Sequence, residues 1–264
     1  MRLGFIGCGN MAEALLSGML KKQIIPAEAM IGSDPREPRI REIKDTYGIQ
    51  VTIDNREVAG QSGILILSVK PQYYEKVIGQ IKDVVSEGTI IVTIAPGKTL
   101  KWLEQQFGKP VKLVRCMPNT PALVGEGITA VCSNTWITQE ELDHVCHILS
   151  GCGIVEVLNE QLMDVVVAVS SSSPAYVFMF IEAMADAAVA DGMPREQAYK
   201  FASQAILGSA KMVLETGRHP GELKDMVCSP GGTTIEAVRV LEEKGFRSSV
   251  IEAMKACVRK AKGM

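Results

Sequence analysis

The chain has 264 residues, 47% hydrophobic and 22% charged, enough for one large domain or two smaller ones around a substantial core. Its 28 basic and 30 acidic side chains give a net charge of −2, so no bulk field favours nucleic acid or an anionic membrane. The locally basic Arg259-Lys260-Ala261-Lys262 reads as a solvated helix end. Seven cysteines, an odd number without a CxxC pair, argue against a disulfide framework and for a reducing, cytoplasmic compartment. His144, Cys146 and His147 lack a second ligand pair at zinc spacing, so no metal is expected. The apolar run in residues 1–20 is interrupted by Gly and Asn and carries no secretory cleavage pattern.

Leu3-Gly4-Phe5-Ile6 suits a buried parallel strand. It runs into Gly7-Cys8-Gly9-Asn10-Met11-Ala12, after which Ala14, Leu15, Leu16, Met19 and Leu20 mark a helix. A G-x-G-x-x-A between strand and helix is the dinucleotide arrangement. The first glycine allows the tight turn, the second lets backbone approach a pyrophosphate, and Ala12 lets helix pack on strand. Strands are then expected at residues 29–32, 49–53, 63–69, 89–94 and 111–116, with helices at 39–47 and 73–85. Such alternation makes an α/β, Rossmann-like, doubly wound parallel sheet whose ligands sit beyond the carboxyl ends of the strands.

The loops at those ends carry the candidate site. After the second strand, Ser33-Asp34-Pro35-Arg36 offers two readings. Asp34 either accepts the ribose hydroxyls of NAD, or caps the helix that starts near Pro35 and leaves Ser33, Arg36 and Arg39 for the 2′-phosphate of NADP. The residues leave this open, with NADP(H) preferred and NAD(H) admitted. Ser68-Val69-Lys70-Pro71 places Lys70 toward the nicotinamide half, and Ile94-Ala95-Pro96-Gly97 offers small residues to a flat ring. Arg115-Cys116-Met117-Pro118-Asn119-Thr120-Pro121-Ala122 reads as a rigid loop fixed by two prolines.

After Val157 the period becomes helical. Residues 165–190 carry only Glu182 and Asp186 as charges, so this helix is expected to be buried in a core or to span a membrane. Ser170-Ser171-Ser172-Ser173-Pro174 should break the run into pieces too short to span. A second copy is therefore expected to cover it, giving a homodimer. A further helix is expected at 198–214 and a last one at 248–262. Between them, Ser229-Pro230-Gly231-Gly232-Thr233-Thr234 cannot be regular structure and feeds a helix whose Ile235, Val238 and Leu241 share one face. A glycine turn at a helix N-terminus presents unpaired N–H groups that suit a carboxylate or phosphate. Division is expected into a dinucleotide-binding domain, 1–158, and an all-α substrate and dimerisation domain, 159–264.

These motifs together resemble pyrroline-5-carboxylate reductase along essentially the whole chain. Those carrying the resemblance are residues 7–12, Val69-Lys70-Pro71, Arg115 with Met117-Pro118-Asn119-Thr120-Pro121, Pro174-Ala175-Tyr176, and above all residues 229–234. The resemblance implies cofactor contacts at Ile6, Gly7, Cys8, Gly9, Asn10, Met11, Ser33, Asp34, Arg36, Asn55, Ser68, Val69, Lys70, Pro71, Ile94, Ala95 and Pro96. It implies that backbone around Ser229, Gly231, Gly232 and Thr233 holds the substrate carboxylate, and that the Thr234 hydroxyl meets the ring nitrogen. Glu160 matches an acidic position near the substrate that a partner chain can supply. The family forms interlaced helical dimers, sometimes assembled into larger rings. Its Ser-Gly-Ser-Gly before Pro-Ala-Tyr is Ser170-Ser171-Ser172-Ser173 here, so either those φ angles are ordinary or the loop is displaced.

The expected reaction is reduction of 1-pyrroline-5-carboxylate to proline, a small-molecule activity without nucleic-acid or membrane partners. Other imine or β-hydroxyacid-type reductases usually set a Lys or Asp in the buried helix as proton donor. No Lys occurs between Val165 and Asp191, which disfavours them. A non-catalytic dinucleotide-binding regulator should show a degraded second glycine turn, and this one is intact.

Overall fold

The structure, a computed structural model, describes residues 2–263. Its first part alternates strand and helix: β1 (Leu3–Ile6), α1 (Asn10–Lys21), β2 (Met30–Ser33), α2 (Glu37–Tyr47), β3 (Gln50–Thr52), α3 (Asn55–Gln61), β4 (Ile64–Leu67), α4 (Tyr74–Ile81), β5 (Ile90–Thr93), α5 (Leu100–Phe107) and β6 (Lys112–Met117). Then come β7 (Gly127–Ser133), α6 (Gln139–Leu149), β8 (Gly153–Val157) and α7 (Met163–Val166). The remainder is helical: α8 (Ser173–Ala190), α9 (Arg195–Thr216), α10 (Pro220–Val227), α11 (Thr233–Glu243) and α12 (Phe246–Ala261).

The sheet order is β3-β2-β1-β4-β5-β6-β7-β8, and every pair from β3 to β6 is parallel. The order reverses between β2-β1 and β1-β4, so the crevice beyond β1 and β4 is the switch point where such sheets bind ligands. Strands as short and apolar as LGFI, MIGS, ILIL and IIVT are fully buried because helices cover both faces. Ile64 and Ile66 join one core with α1 and α6, whereas Leu65 and Leu67 join the opposite core with α3, α4 and α5. Alternation along each strand thus feeds two separate cores.

One departure from the all-parallel expectation appears at the far edge. β7 runs antiparallel to β6, and β8 is parallel to β7. A short 3-10 turn over Thr120–Val124 joins β6 to β7, and without a crossover helix the chain can only return antiparallel. The rhythm used to find β1 to β6 is lost there, so neither β7 nor β8 stood out in the sequence.

Ser173–Cys257 forms one compact unit and the rest of the described chain another. Within the smaller unit α8 packs on α9, and Phe180 meets Phe246 with ring centroids 5.9 Å apart. Its apolar surface stays open in the single chain: Phe178, Met179, Phe201, Leu207 and Leu214 are all exposed. The serine run does not break the helical path as expected. Val167–Ser171 forms a π-helical turn, Ser172 bends at φ −95°, and α8 starts at the next residue. Residues Glu160–Ala190 are therefore long and apolar enough to cross a membrane by length and composition. Among the described residues Gln23 is the non-glycine with positive φ, so the serines replacing family glycines adopt ordinary backbone.

Candidate active site

At the end of β1 the chain turns at Gly7, whose φ is +93° and whose N–H donates to Ser33 O at 2.8 Å. A side chain there would lie 2.8 Å from Val69 Cγ1 and 2.9 Å from Ser68 O, so the turn needs glycine for both angle and space. Gly9 differs: it caps α1 from an extended conformation with no side-chain cap, and a Cβ on it would meet nothing within 4 Å. The first turn of α1 therefore faces open space with unpaired N–H groups, the cradle a pyrophosphate requires. Asn10 and Met11 supply the next amides of that turn.

The amide of Cys8 is held on both sides. Its N–H donates to Asp34 Oδ2 at 3.0 Å, and its carbonyl accepts from Arg39 Nε at 2.6 Å. Its thiol is buried against Ser33 O, and burial pushes it up to about 12, so it takes no part in chemistry near neutral pH. Asp34 is also gripped by Arg36, whose Nε donates to Oδ1 at 2.8 Å and Nη2 to Oδ2 at 3.0 Å. Burial acts to raise the Asp34 carboxyl, but the Arg36 side chain and the amides of Arg36 and Cys8 hold it below its ordinary value.

The two arginines beside Asp34 are not equivalent. The Arg39 side chain is 14% exposed and is consumed by Cys8 O, Glu13 and Glu42. The Arg36 side chain is 63% exposed. Only Arg36 of the pair presents its guanidinium to solvent. Ser33 Oγ donates to Asn55 Oδ1 at 2.7 Å, and Asn55 Nδ2 donates to Gln80 Oε1 at 2.8 Å, so these two predicted residues form one fixed pair.

The β4 end returns to the glycine turn. Ser68 N donates to Ile6 O at 2.9 Å and Ser68 Oγ to Gly7 O at 2.6 Å, which brings residues 6–9 and 68–71 together. Val69 lies against the turn, and the exposed Lys70 precedes Pro71, which opens a 3-10 turn over Pro71–Tyr73. Ile94, Ala95 and Pro96 follow β5, whose register pairs Leu67 with Thr93. Sequence reasoning missed the residue that joins these two loops. Tyr74 is fully buried; its hydroxyl donates to Leu67 O at 2.6 Å and accepts from Thr93 Oγ1 at 3.0 Å. Its only sequence signal is a tyrosine three residues after a proline at a strand end.

Arg115 and Glu160, singled out separately, form a pair: Nη1 to Oε1 is 2.9 Å, with Arg115 2% exposed. The same carboxylate oxygen accepts from Leu100 N at 2.8 Å, at the first turn of α5 where the helix dipole favours an anion. Asn119 ties the loop after β6 to the π turn, donating to Ser170 O at 3.1 Å and accepting from Ile128 N at 2.9 Å.

In the smaller unit the second glycine turn is exposed at Ser229, Pro230 and Gly231. Gly232 N donates to Ser229 O at 3.0 Å, Gly231 sits at φ +65°, and α11 begins at Thr233 without a side-chain cap. A Cβ on Gly232 would run into the Ser229 hydroxyl and lie 3.2 Å from Ser229 O, so that tight turn also needs glycine. Ser229, Gly231 and Thr233 are exposed, and Thr234 is half-buried. Upstream, Pro220 opens α10 while His219 Nδ1 accepts from Gly221 N at 3.0 Å, fixing the approach to the turn. Among the described residues there is no cluster of three or more His, Cys, Asp or Glu suited to a metal.

Comparison with known proteins bears on both halves. Residues 2–97 match the family described as NADP oxidoreductase coenzyme F420-dependent, and residues 160–264 match pyrroline-5-carboxylate reductase dimerisation. The pyrroline-5-carboxylate reductase of Escherichia coli K12 is 52% identical over 261 residues, 98% of this chain and 97% of that protein. A crystal structure of Plasmodium falciparum pyrroline carboxylate reductase with NADP bound superposes with a TM-score of 0.91 at 35% identity, covering 100% of this chain and 97% of that one. A pyrroline-5-carboxylate reductase from Coxiella burnetii gives 0.92 at 33% identity, covering 99% and 97%. Identity at this level along nearly the whole length, with the fold retained, places the chain in the pyrroline-5-carboxylate reductase family of NAD(P)H-dependent oxidoreductases.

Proposed function

We infer that this protein reduces 1-pyrroline-5-carboxylate to L-proline with NAD(P)H, the last step of proline biosynthesis. The observation that carries the reading is the uncapped turn of residues 229–234, open at the start of α11 and shaped for a small carboxylate. When bound, the nicotinamide supplies a hydride from C4 to the imine carbon. The chain supplies position. The amides of Gly9, Asn10 and Met11 take the pyrophosphate; Ser33, Asn55 and Arg36 line the adenosine ribose, while Ile6, Gly7 and Cys8 shape the turn beneath it. Residues 68–71 and 94–96 flank the nicotinamide half.

On the substrate side, backbone at Ser229, Gly231, Gly232 and Thr233 holds the carboxylate. Thr234 Oγ1 hydrogen-bonds the ring nitrogen, which takes its proton from solvent. The iminium loses its positive charge as it reacts, so orientation matters more than charge stabilisation. Glu160 contributes on the substrate side from a position fixed by Arg115 and Leu100. NADP(H) is the preferred dinucleotide and NAD(H) is admitted: Asp34 is already satisfied by Arg36, whose exposed guanidinium suits a 2′-phosphate.

Residues 1–158 bind the dinucleotide, and 159–264 bind substrate and form the homodimer. The exposed apolar faces of α8 and α9 are covered by a second copy rather than by lipid, and dimers can assemble further. The cytoplasm is the compartment its thiol-rich, disulfide-poor composition suits.

Oxidation of NADPH and NADH with pyrroline-5-carboxylate, other imines and keto acids tests the activity. Thr234→Ala should lower kcat roughly ten- to a hundredfold, the worth of a hydrogen bond to a charged group, and leave NADPH affinity unchanged. Equal losses in both would remove Thr234 from the reacting centre.

A further inference from the structure

Tyr74 occupies a position that neither glycine turn explains. Beyond the last register pair of β4 and β5, Leu67 with Thr93, the two strands lead into separate loops. Residues 68–71 lie on one side and residues 94–96 on the other. Parallel strands that part leave backbone groups without ladder partners, and a buried unpaired group is costly. The Tyr74 hydroxyl fills that gap. Pro71 and the 3-10 turn it opens fold the chain back so that the ring enters beneath the loops. The phenol proton goes to Leu67 O at 2.6 Å, and the Thr93 hydroxyl donates at 3.0 Å, immediately before the loop that starts at Ile94. Burial pushes the phenol up to about 12, despite the donors around it, so it keeps its proton at every working pH.

We propose that Tyr74 is a positioning residue for hydride transfer, whose single hydroxyl holds the β4 and β5 loops at the separation the nicotinamide half requires. This rests on the assignment of residues 68–71 and 94–96 to the cofactor. The effect passes through Leu67 O to one loop and through Thr93, which Ile94 and Ala95 directly follow, to the other. The adenosine end, held by Ser33 and Arg36, is a step removed. The glycine turn meets this link through Ser68, which bonds Ile6 O and Gly7 O, while among the described residues Ser33 and Arg36 make no bond to the link. A defect at Tyr74 should therefore separate the two ends of the dinucleotide.

The test compares the full-length protein with Tyr74→Phe, Thr93→Val and Thr93→Ser. Three probes are used: NADPH, 2′-phospho-ADP-ribose (which lacks the nicotinamide), and turnover with pyrroline-5-carboxylate. Calorimetric binding of both nucleotides needs no turnover. Tyr74→Phe should weaken NADPH roughly tenfold and lower kcat by a similar factor, the loss of about one hydrogen bond. The binding of 2′-phospho-ADP-ribose and the KM for pyrroline-5-carboxylate should stay within about twofold. Amide exchange at Ile94 and Ala95 should accelerate in the unliganded protein. Thr93→Val should reproduce these changes, Thr93→Ser should retain wild-type behaviour, and Tyr74→Phe with Thr93→Val should be little worse than either alone.

Equal weakening of NADPH and 2′-phospho-ADP-ribose would make Tyr74 a general packing residue and overturn the proposal. So would unchanged NADPH affinity and kcat. Failure of the wild type to bind either nucleotide would instead remove the cofactor assignment beneath it. If Tyr74→Phe does not fold, the Thr93 pair decides: a loss with valine and not with serine supports the hydroxyl link, and no difference between them refutes it.

Discussion

Replacing each fingerprint glycine by alanine separates folding from binding, because the two positions meet different surroundings. At Gly7 the backbone sits at φ +93°, which disfavours an L side chain by about 1–2 kcal/mol. The new methyl would also lie 2.9 Å from Ser68 O, on a backbone already held by Ser68 N bonding to Ile6 O, so β4 would have to shift. Overpacking of this kind adds about 1–3 kcal/mol, giving a loss of about 2–5 kcal/mol for Gly7→Ala. In a unit of this size that lowers Tm by roughly 5–15 °C. At Gly9 φ is −75° and the methyl meets nothing within 4 Å. The only folding penalty is a poorer N-cap, about 0.5–1 kcal/mol, or less than about 4 °C. The methyl does stand where a pyrophosphate must approach, so Gly9→Ala should weaken NADPH at least about tenfold. Thermal unfolding without ligand and calorimetric titration with NADPH read the two effects independently. The reasoning is refuted if Gly9→Ala binds NADPH as the wild type does, or if Gly7→Ala melts within a degree or two of it.

Arg36→Ala should raise the KM for NADPH roughly tenfold and alter that for NADH less than about twofold, because only NADPH carries the phosphate. Equal changes would assign recognition elsewhere. The Asp34 carboxyl is held below its ordinary value by Arg36 and two amides, which outweigh its burial. Its contribution to stability is therefore complete above about pH 4 and is lost as pH falls through the lowered folded value. Asp34→Asn should flatten the acid limb of an unfolding-against-pH curve and change the slope near neutrality very little. Glu160→Ala should destabilise the protein by about 2–4 kcal/mol in urea titrations, since it strands an Arg115 that is 2% exposed with Nε already lacking a partner among the described residues. Glu160→Gln keeps an acceptor for Leu100 N–H and should lose about half as much. If both variants melt like the wild type, the pair is not a tie between β6 and α5.

Several features of the fold are legible in the sequence alone. Strand β1, the turn at Gly7 and Gly9, and the strands through β6 follow from short apolar runs punctuated by glycine and proline, which local sterics and two-sided burial enforce. The turn of residues 229–232 ahead of α11 was equally legible, since Pro and two adjacent Gly disfavour regular structure there. The antiparallel β7 and the edge strand β8 were not, because strand direction depends on the connection and not on composition. The four serines show the same limit: expected to break a helix, they span the end of a π turn, a bend at Ser172 and the first residue of α8, and the Ser170 carbonyl accepts from Asn119, a residue distant in sequence.

What the sequence by itself determined was the set of chemical capacities: two glycine turns able to receive anions, an acid and an arginine at the ribose end, and apolar helices in need of a cover. Only the tertiary structure decided how those groups are occupied. It gave Arg39 to Glu13 and Cys8, paired Arg36 with Asp34 while leaving its guanidinium exposed, paired Arg115 with Glu160, and set Tyr74 between Leu67 and Thr93. The physical reason is that a polar side chain's role is set by which partners reach it within hydrogen-bond distance, and such partners are brought together by strand pairing and helix packing across long stretches of chain.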